Sequence, residues 1–178
     1  MKQVQKLVTA IDLSRNRYLK LISTLSEDQA HRKPTLDKWN AVEITEHLFW
    51  AEQGALLGMW KTLYAQRNGQ HPELKAIHEG LTIEEVVART WQPKEIVPAV
   101  AAPRMGGTLI FWSLSLEGLQ FILNSLSNEL SDDDLLILAH PHPISGVLNF
   151  RQRLEFLRFH IDRHYDQVIE LIAANKVG

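Results

Sequence analysis

Apolar residues recur at steps of three and four over four long stretches of the chain, the period of amphipathic helices. The first stretch contains Val4, Leu7, Val8 and Ile11, and the spacing continues to Leu25. No region alternates apolar and polar residues with the β-branched enrichment of strands. The pattern therefore predicts an all-α four-helix bundle. The predicted helices cover residues 4–25, 40–66, 108–130 and 147–174.

The clearest helix start lies before the second long helix. Asn40 is a favourable N-cap residue, and Glu43 follows three positions later, which is the spacing of a capping box. Trp39 and Ile44 stand at the spacing of a hydrophobic staple. A further cap at Ser26 predicts a short helical segment between the first two long helices.

The connection between the second and third long helices is rich in helix-breaking residues. Thr82 and Glu85 repeat the capping-box spacing and predict one short helix within it. A connection of this length can cross the bundle, so the second and third helices need not be antiparallel. A shorter loop from Pro141 to Gly146 precedes the fourth helix. The breaking residues of the long connection are Gly69, Pro72, Gly80, Pro93, Pro98 and Pro103.

Composition and charge narrow the class of protein. The 178 residues suit a single domain, and 45% of them are hydrophobic, which is enough for a packed core. The formal net charge of −2 gives no general attraction to nucleic acid or to anionic membranes. The start of the chain lacks a signal core, and no run approaches about 20 apolar residues. We therefore expect a cytoplasmic protein that binds neither nucleic acid nor a membrane, with one domain over residues 1–178.

Two histidines lie on one face of the fourth helix. His160 and His164 are four residues apart, and this places them one helical turn apart. Leu157 and Val168 continue the same stripe, so both imidazoles are predicted to face the bundle interior. Buried imidazoles are costly without partners, and a shared metal ion would satisfy both. Hydrogen-bonded core histidines are the alternative.

The second helix supplies a third candidate ligand. His47 follows Ile44 by three residues and falls on the inward stripe. Because the chain has no cysteine, a transition-metal site here would use imidazole or carboxylate groups. Three imidazoles would leave a coordination position open to water or substrate, as in catalytic zinc sites. Zn(II), Ni(II) and Fe(II) all accept such ligands, and the spacing does not choose among them.

Two segments resemble the DinB-like (DinB/YfiT) superfamily. Residues 38–48, Lys-Trp-Asn-Ala-Val-Glu-Ile-Thr-Glu-His-Leu, are similar to its second-helix motif, and residues 160–168 are similar to its final-helix H-x-x-x-H-x-x-Q. The proline-containing segments before the third and fourth helices are similar as well. The resemblance implies an up-down-down-up four-helix bundle that binds a divalent metal ion. By position, the ligands would be His47, His160 and His164.

The same resemblance sets the functional expectations. Some members of the superfamily are S-transferases or isomerases that use low-molecular-weight thiols such as bacillithiol or mycothiol. We expect a metal-dependent S-transferase that uses a thiol cosubstrate on a small-molecule substrate, because no inward carboxylate is evident as the general base of a hydrolase. The alternatives are a hydrolase with metal-activated water and a non-catalytic metal-binding stress protein.

Five further polar residues and the assembly complete these expectations. Gln167 shares the face of the two helical histidines and is a candidate to orient a metal ligand. Glu43 is a second candidate, although its capping role explains it first. Glu46 is expected on a solvated face. His140 and His142 could reach the mouth of the site from their loop, but a surface position is favoured for both. Two-fold dimers are the commonest oligomers, so a homodimer is one candidate assembly.

Overall fold

The computed structural model describes residues 2–91 and 96–175 of the chain. The predicted loop residue Pro93 lies outside these ranges. Within the described ranges the regular structure is helical and contains no strand, so the predicted all-α fold is confirmed.

Four long helices form the bundle, and shorter helical segments lie in the connections between them. All four agree with their predicted bounds to within about three residues, and the short segments expected after Ser26 and at Thr82 are present. The helices are α1 Gln3–Ile22, α2 Glu27–His31, α3 Ala41–Arg67, α4 Ile83–Thr90, α5 Leu109–Glu129 and α6 Phe150–Ala174, with a 3₁₀ turn at Asp133–Leu136.

Side chains of the N-cap residues fix where each described α-helix except α1 begins. The predicted capping box before α3 is present: Asn40 Oδ1 accepts a hydrogen bond from the backbone N–H of Glu43, and Glu43 Oε2 accepts one from that of Asn40, both at 2.9 Å. The start of α6 differs from the prediction, because this helix begins at Phe150 and not at residue 147. The backbone N–H of Ala139 donates to the carbonyl of Leu148 at 2.8 Å, and this pairing keeps the chain before α6 extended.

Contacts near the helix ends show the direction of each long helix. Arg67 at the end of α3 pairs with Glu129 at the end of α5, so these two helices are parallel. Glu27, just after α1, accepts a hydrogen bond at 3.0 Å from the first backbone N–H of α5, so α1 runs the opposite way. The segment between α5 and α6 contacts the start of both α1 and α6, so these two helices are parallel: Asp132 accepts hydrogen bonds from the backbone N–H groups of Gln3 and Val4, and the carbonyl of Ile137 accepts one from that of Phe150, all at 3.0 Å. The bundle is therefore up-down-down-up.

The parallel arrangement of α3 and α5 explains the long connection between them. The chain must return along the length of the bundle before α5 can begin, and α4 lies on this return path. The helix α4 packs against α6 through a small apolar cluster beside the main core. The buried members of this cluster are Ile83, Val86, Leu148 and Phe156.

The helix α5 is the most apolar element of the bundle. By length and composition alone it is long and apolar enough to cross a membrane. The expectation that no segment approaches the length and apolar content of a membrane span therefore has one exception. About 33% of its most apolar window is buried, and its inner side packs Trp112, Leu116 and Leu123 into the bundle core. Core helices of soluble proteins have the same properties.

Candidate metal centre

The structure brings the three predicted histidines together between α3 and α6. The Nε2 atom of His160 lies 3.1 Å from the Nε2 atom of His47 and 3.1 Å from that of His164. All three residues are buried, with exposed fractions of 5–7%. One ligand nitrogen from each lies within 4.8 Å of the others, so the three could hold a metal ion.

The outer nitrogens of two rings determine which atoms face the centre. The Nδ1 atom of His47 lies 2.8 Å from the carbonyl oxygen of Ala101, and the Nδ1 atom of His164 lies 2.7 Å from Gln167 Oε1. Carbonyl and amide oxygens can only accept hydrogen bonds, so the Nδ1 atoms of His47 and His164 are the donors and carry the hydrogen. In the neutral rings the Nε2 atoms then have free lone pairs, and these face His160.

This donor set fits a divalent cation. Two Nε2 lone pairs point at the third Nε2, and a single ring hydrogen on His160 cannot satisfy both of them well. Nitrogens bound to zinc at 2.0–2.1 Å in a tetrahedral site are about 3.3 Å apart, close to the separations found here. The Gln167 side chain holds the ring of His164, as a ligand-orienting residue would.

Burial keeps the three imidazoles in the form that binds metal. It lowers the pKa of His47, lowers that of His164 to about 3, and lowers that of His160 well below its usual range. The neighbouring imidazoles of the cluster lower the last two further. The rings are thus neutral at physiological pH, and neutral imidazole is the metal-ligating form.

Glu46 anchors the loop that contacts His47. The prediction of a solvated Glu46 is wrong, because its side chain is fully buried and accepts hydrogen bonds from the backbone N–H groups of Arg104, Met105 and Gly106 at 2.7–3.0 Å. Burial acts to raise the pKa of the Glu46 carboxyl, but these hydrogen bonds and one from Trp50 outweigh it and lower the pKa. The loop includes Ala101, the partner of His47.

A cavity of about 550 Å³ opens onto the three histidines. This volume lies in the range of small-molecule sites. The described residues that line it include no Asp or Glu. His140 and His142 line it as well, so the expectation that these loop histidines lie at the surface is wrong. The main aromatic and basic lining residues are Trp50, Trp91, Phe156, Arg104, Arg153 and Arg163.

The loop before α6 turns inward for reasons that are visible in its contacts. The Nδ1 atom of His142 accepts hydrogen bonds from the backbone N–H groups of Ile144 and Ser145, and its ring centroid lies 4.6 Å from that of Phe156. The ring of His140 packs against the backbone of Gly58, where an added Cβ would lie 2.0 Å from the His140 Cε1 atom. No helical period marks these loop positions, so the sequence alone favoured the surface over the mouth of the site.

Glu43 lies at the start of α3 and is engaged there. Its two oxygens are bound by the ammonium of Lys33 at 2.7 Å and by the backbone N–H of Asn40 at 2.9 Å. Two arginines at the cavity rim are held over indole rings: Arg104 lies 4.0 Å from the Trp50 ring centroid and Arg163 lies 5.4 Å from that of Trp91.

Fold and site together define a class: an up-down-down-up helical bundle with a buried three-histidine cluster open to a cavity. The DinB superfamily model matches residues 10–100, and the chain belongs to the DinB superfamily. One similar solved structure is the conserved protein of locus from Enterococcus faecalis, with a TM-score of 0.58, 14% identity, and coverage of 98% of this chain and 97% of that one. At that identity the likeness shows the fold alone. No curated protein matches the chain.

Proposed function

We propose that the protein is a thiol-dependent S-transferase whose divalent metal ion is held by His47, His160 and His164. The observation that carries this proposal is a cluster of neutral imidazoles at the base of a cavity without a carboxylate among its described lining residues. Such a site suits a reaction in which a thiol is the nucleophile. A hydrolase would need a general base to take a proton from water, and no carboxylate lines this cavity in the described part of the chain.

The proposed reaction joins a thiol to an electrophilic small molecule. The thiol loses its proton to solvent, its sulfur forms a bond to an electrophilic carbon, and the leaving group departs with the electrons of the broken bond. When bound, the metal ion would supply a positive charge that lowers the pKa of the thiol. The chain's own residues orient the imidazoles, through Ala101 and Gln167, and enclose the reacting groups between aromatic walls.

A second opening favours a reaction between two substrates. A second groove reaches the histidine cluster at His164, and its lining includes Trp39, Phe159 and Gln167. Unlike the first cavity, it is also lined by carboxylates, those of Glu84, Asp162, Asp166 and Glu170. It shares Val97, Arg163 and His164 with the first cavity, so two molecules could approach the cluster by separate routes.

A hydrolase is the weaker candidate because a suitable general base is lacking among the described residues that line the first cavity. Such a base should have a pKa near the working pH. Burial, with the positive charge of Arg153, lowers the pKa of His140 to about 4 and that of His142 to about 3. The Glu46 carboxylate is occupied by four hydrogen bonds. The open cavity weighs against a non-catalytic metal store, which would need no access for substrates.

The first test is the metal content of the purified, untagged protein. We expect about one equivalent of Zn, Ni or Fe per chain, and loss of that metal in the double variant His160→Ala/His164→Ala. The matched control is His31→Ala, which removes a half-exposed histidine outside the cluster. Absence of metal in the wild type, with no uptake of added divalent ions, would overturn the metal site.

The second part of the test is turnover. The metal-loaded protein should conjugate bacillithiol, mycothiol, glutathione or coenzyme A to a fluorogenic electrophile such as monochlorobimane, and the double variant should not exceed the uncatalysed rate. If no thiol raises the melting temperature or is consumed, the transferase proposal fails even where metal is bound. Release of acid from simple esters or amides would instead support a hydrolase.

A further inference from the structure

A buried arginine in the cavity wall has few partners. Arg153 lies in the first turn of α6 with only 3% of its surface exposed, and it lines the cavity. One guanidinium nitrogen donates to the carbonyl of His140, but its Nε–H has no hydrogen-bond partner in the described part of the chain. Burial lowers the pKa of Arg153 to about 10, so the group is still charged at neutral pH. A buried cation of this kind is costly unless an anion compensates it.

A second unpartnered polar atom lies in the same part of the wall. The Nδ1 atom of His140 is buried and makes no hydrogen bond to a described residue. The imidazole of His140 is held in place by its contact with Gly58. The backbone carbonyl of His140 accepts the hydrogen bond from Arg153. As a neutral ring with hydrogen on Nδ1, His140 would add one N–H donor beside the guanidinium.

The charges around these two donors are positive. Lys61 lies near enough to His140 to lower the pKa of that imidazole. Arg104 and Arg163 are exposed at the rim of the same cavity, and no carboxylate is among its described lining residues. An anion entering here would meet attraction first at the rim and then at the buried end.

We propose that Arg153 and His140 form a carboxylate-binding subsite, and that the molecule occupying the cavity carries a carboxylate at this end. One buried cation with a neighbouring neutral donor matches a monoanion with two oxygens. Arg153 precedes His160 by seven residues on one face of α6, about 10 Å along the helix axis. The subsite is thus separate from the histidine cluster, and one small molecule can reach both.

The inference rests on the proposed function only in assuming that this cavity holds a substrate, and its test measures binding without turnover. The probes are 4-phenylbutyrate and its neutral amide, added to metal-stripped full-length protein and followed by calorimetry. We expect the carboxylate to bind at least tenfold more tightly than the amide. Arg153→Met should abolish this preference.

Control variants separate a local loss from general damage. Arg151→Met removes an arginine on the same helix that pairs with Glu155, and it should leave the preference unchanged. If Arg153→Met does not fold, Arg153→Lys and His140→Phe replace it, and each should weaken carboxylate binding at least threefold. Equal binding of acid and amide, no binding of either at millimolar concentration, or an unchanged preference in the Arg153 or His140 variants would overturn the subsite.

A final pair of probes asks whether the thiol cosubstrate can supply the carboxylate. We expect 3-mercaptopropionate to compete with 4-phenylbutyrate, and 2-mercaptoethanol, which has no carboxylate, not to compete. If 3-mercaptopropionate does not compete, a carboxylate alone does not direct binding and the subsite is overturned. Failure of thiol transfer with intact carboxylate binding would overturn only the proposed reaction.

Discussion

The burial of Glu46 could not be predicted from its position around the helix. It lies about 100° around α3 from His47, and the prediction therefore placed it in solvent. The structure covers that face with the loop through residues 104–106, whose backbone N–H groups bind the carboxylate. Because the same loop includes Ala101, Glu46 acts on the candidate metal centre through the hydrogen bond between Ala101 and His47.

Replacing Glu46 should therefore weaken metal binding from a distance. Glu46→Gln removes the negative charge and leaves at least one backbone N–H poorly satisfied, which costs about 1–3 kcal/mol of stability. With the partner of His47 less fixed, we expect zinc affinity to fall by about 10-fold or more, measured by competition with a chromophoric chelator. Glu117→Gln, on the exposed side of α5, is the control. Unchanged affinity in Glu46→Gln would show that the loop does not position His47.

At the scale of elements, the helices were predictable and the two loops that complete the site were not. Caps and the apolar period are local signals, so residues such as Asn40 and Glu43 reveal a helix start from the sequence alone. The same period placed His160 and His164 facing inward, as found. The loop position of His140 depends on contacts with residues distant in the chain, and no local pattern encodes them.

Two helical glycines give a test of that long-range contact. Gly118→Ala on α5 adds a Cβ that meets nothing within 4 Å, and it should raise the free energy of unfolding by about 0.5–1 kcal/mol. Gly58→Ala on α3 adds one at 2.0 Å from the His140 ring, so the ring must move and the gain in helix propensity should be lost. Urea unfolding of both variants checks this, and an equal rise in stability for the two would contradict the packing of His140 on Gly58.

At the scale of the whole molecule, the buried histidines make the stability of the metal-free protein depend on pH. An unfolded chain binds protons at histidine below about pH 6.5, whereas burial keeps His47, His160 and His164 neutral to much lower pH in the folded protein. Between these limits the unfolded state binds more protons. The contribution to stability is therefore complete above about pH 6.5 and is lost progressively as the pH falls towards the folded-state pKa values.

The three histidines of the cluster supply part of this pH dependence, and His140 and His142, whose pKa values burial also lowers, add to it. Each buried imidazole can contribute up to about 1.4 kcal/mol per pH unit to the slope, so metal-stripped protein should be markedly easier to unfold with urea at pH 5 than at pH 7. The variant His160→Gln/His164→Gln removes two of these groups and should flatten the slope by about two protons, whereas His31→Ala should not. A stability that is constant from pH 7 to pH 5 would mean that the three rings are not held neutral together, and the lone pairs that the candidate metal centre requires would then be lost to protons.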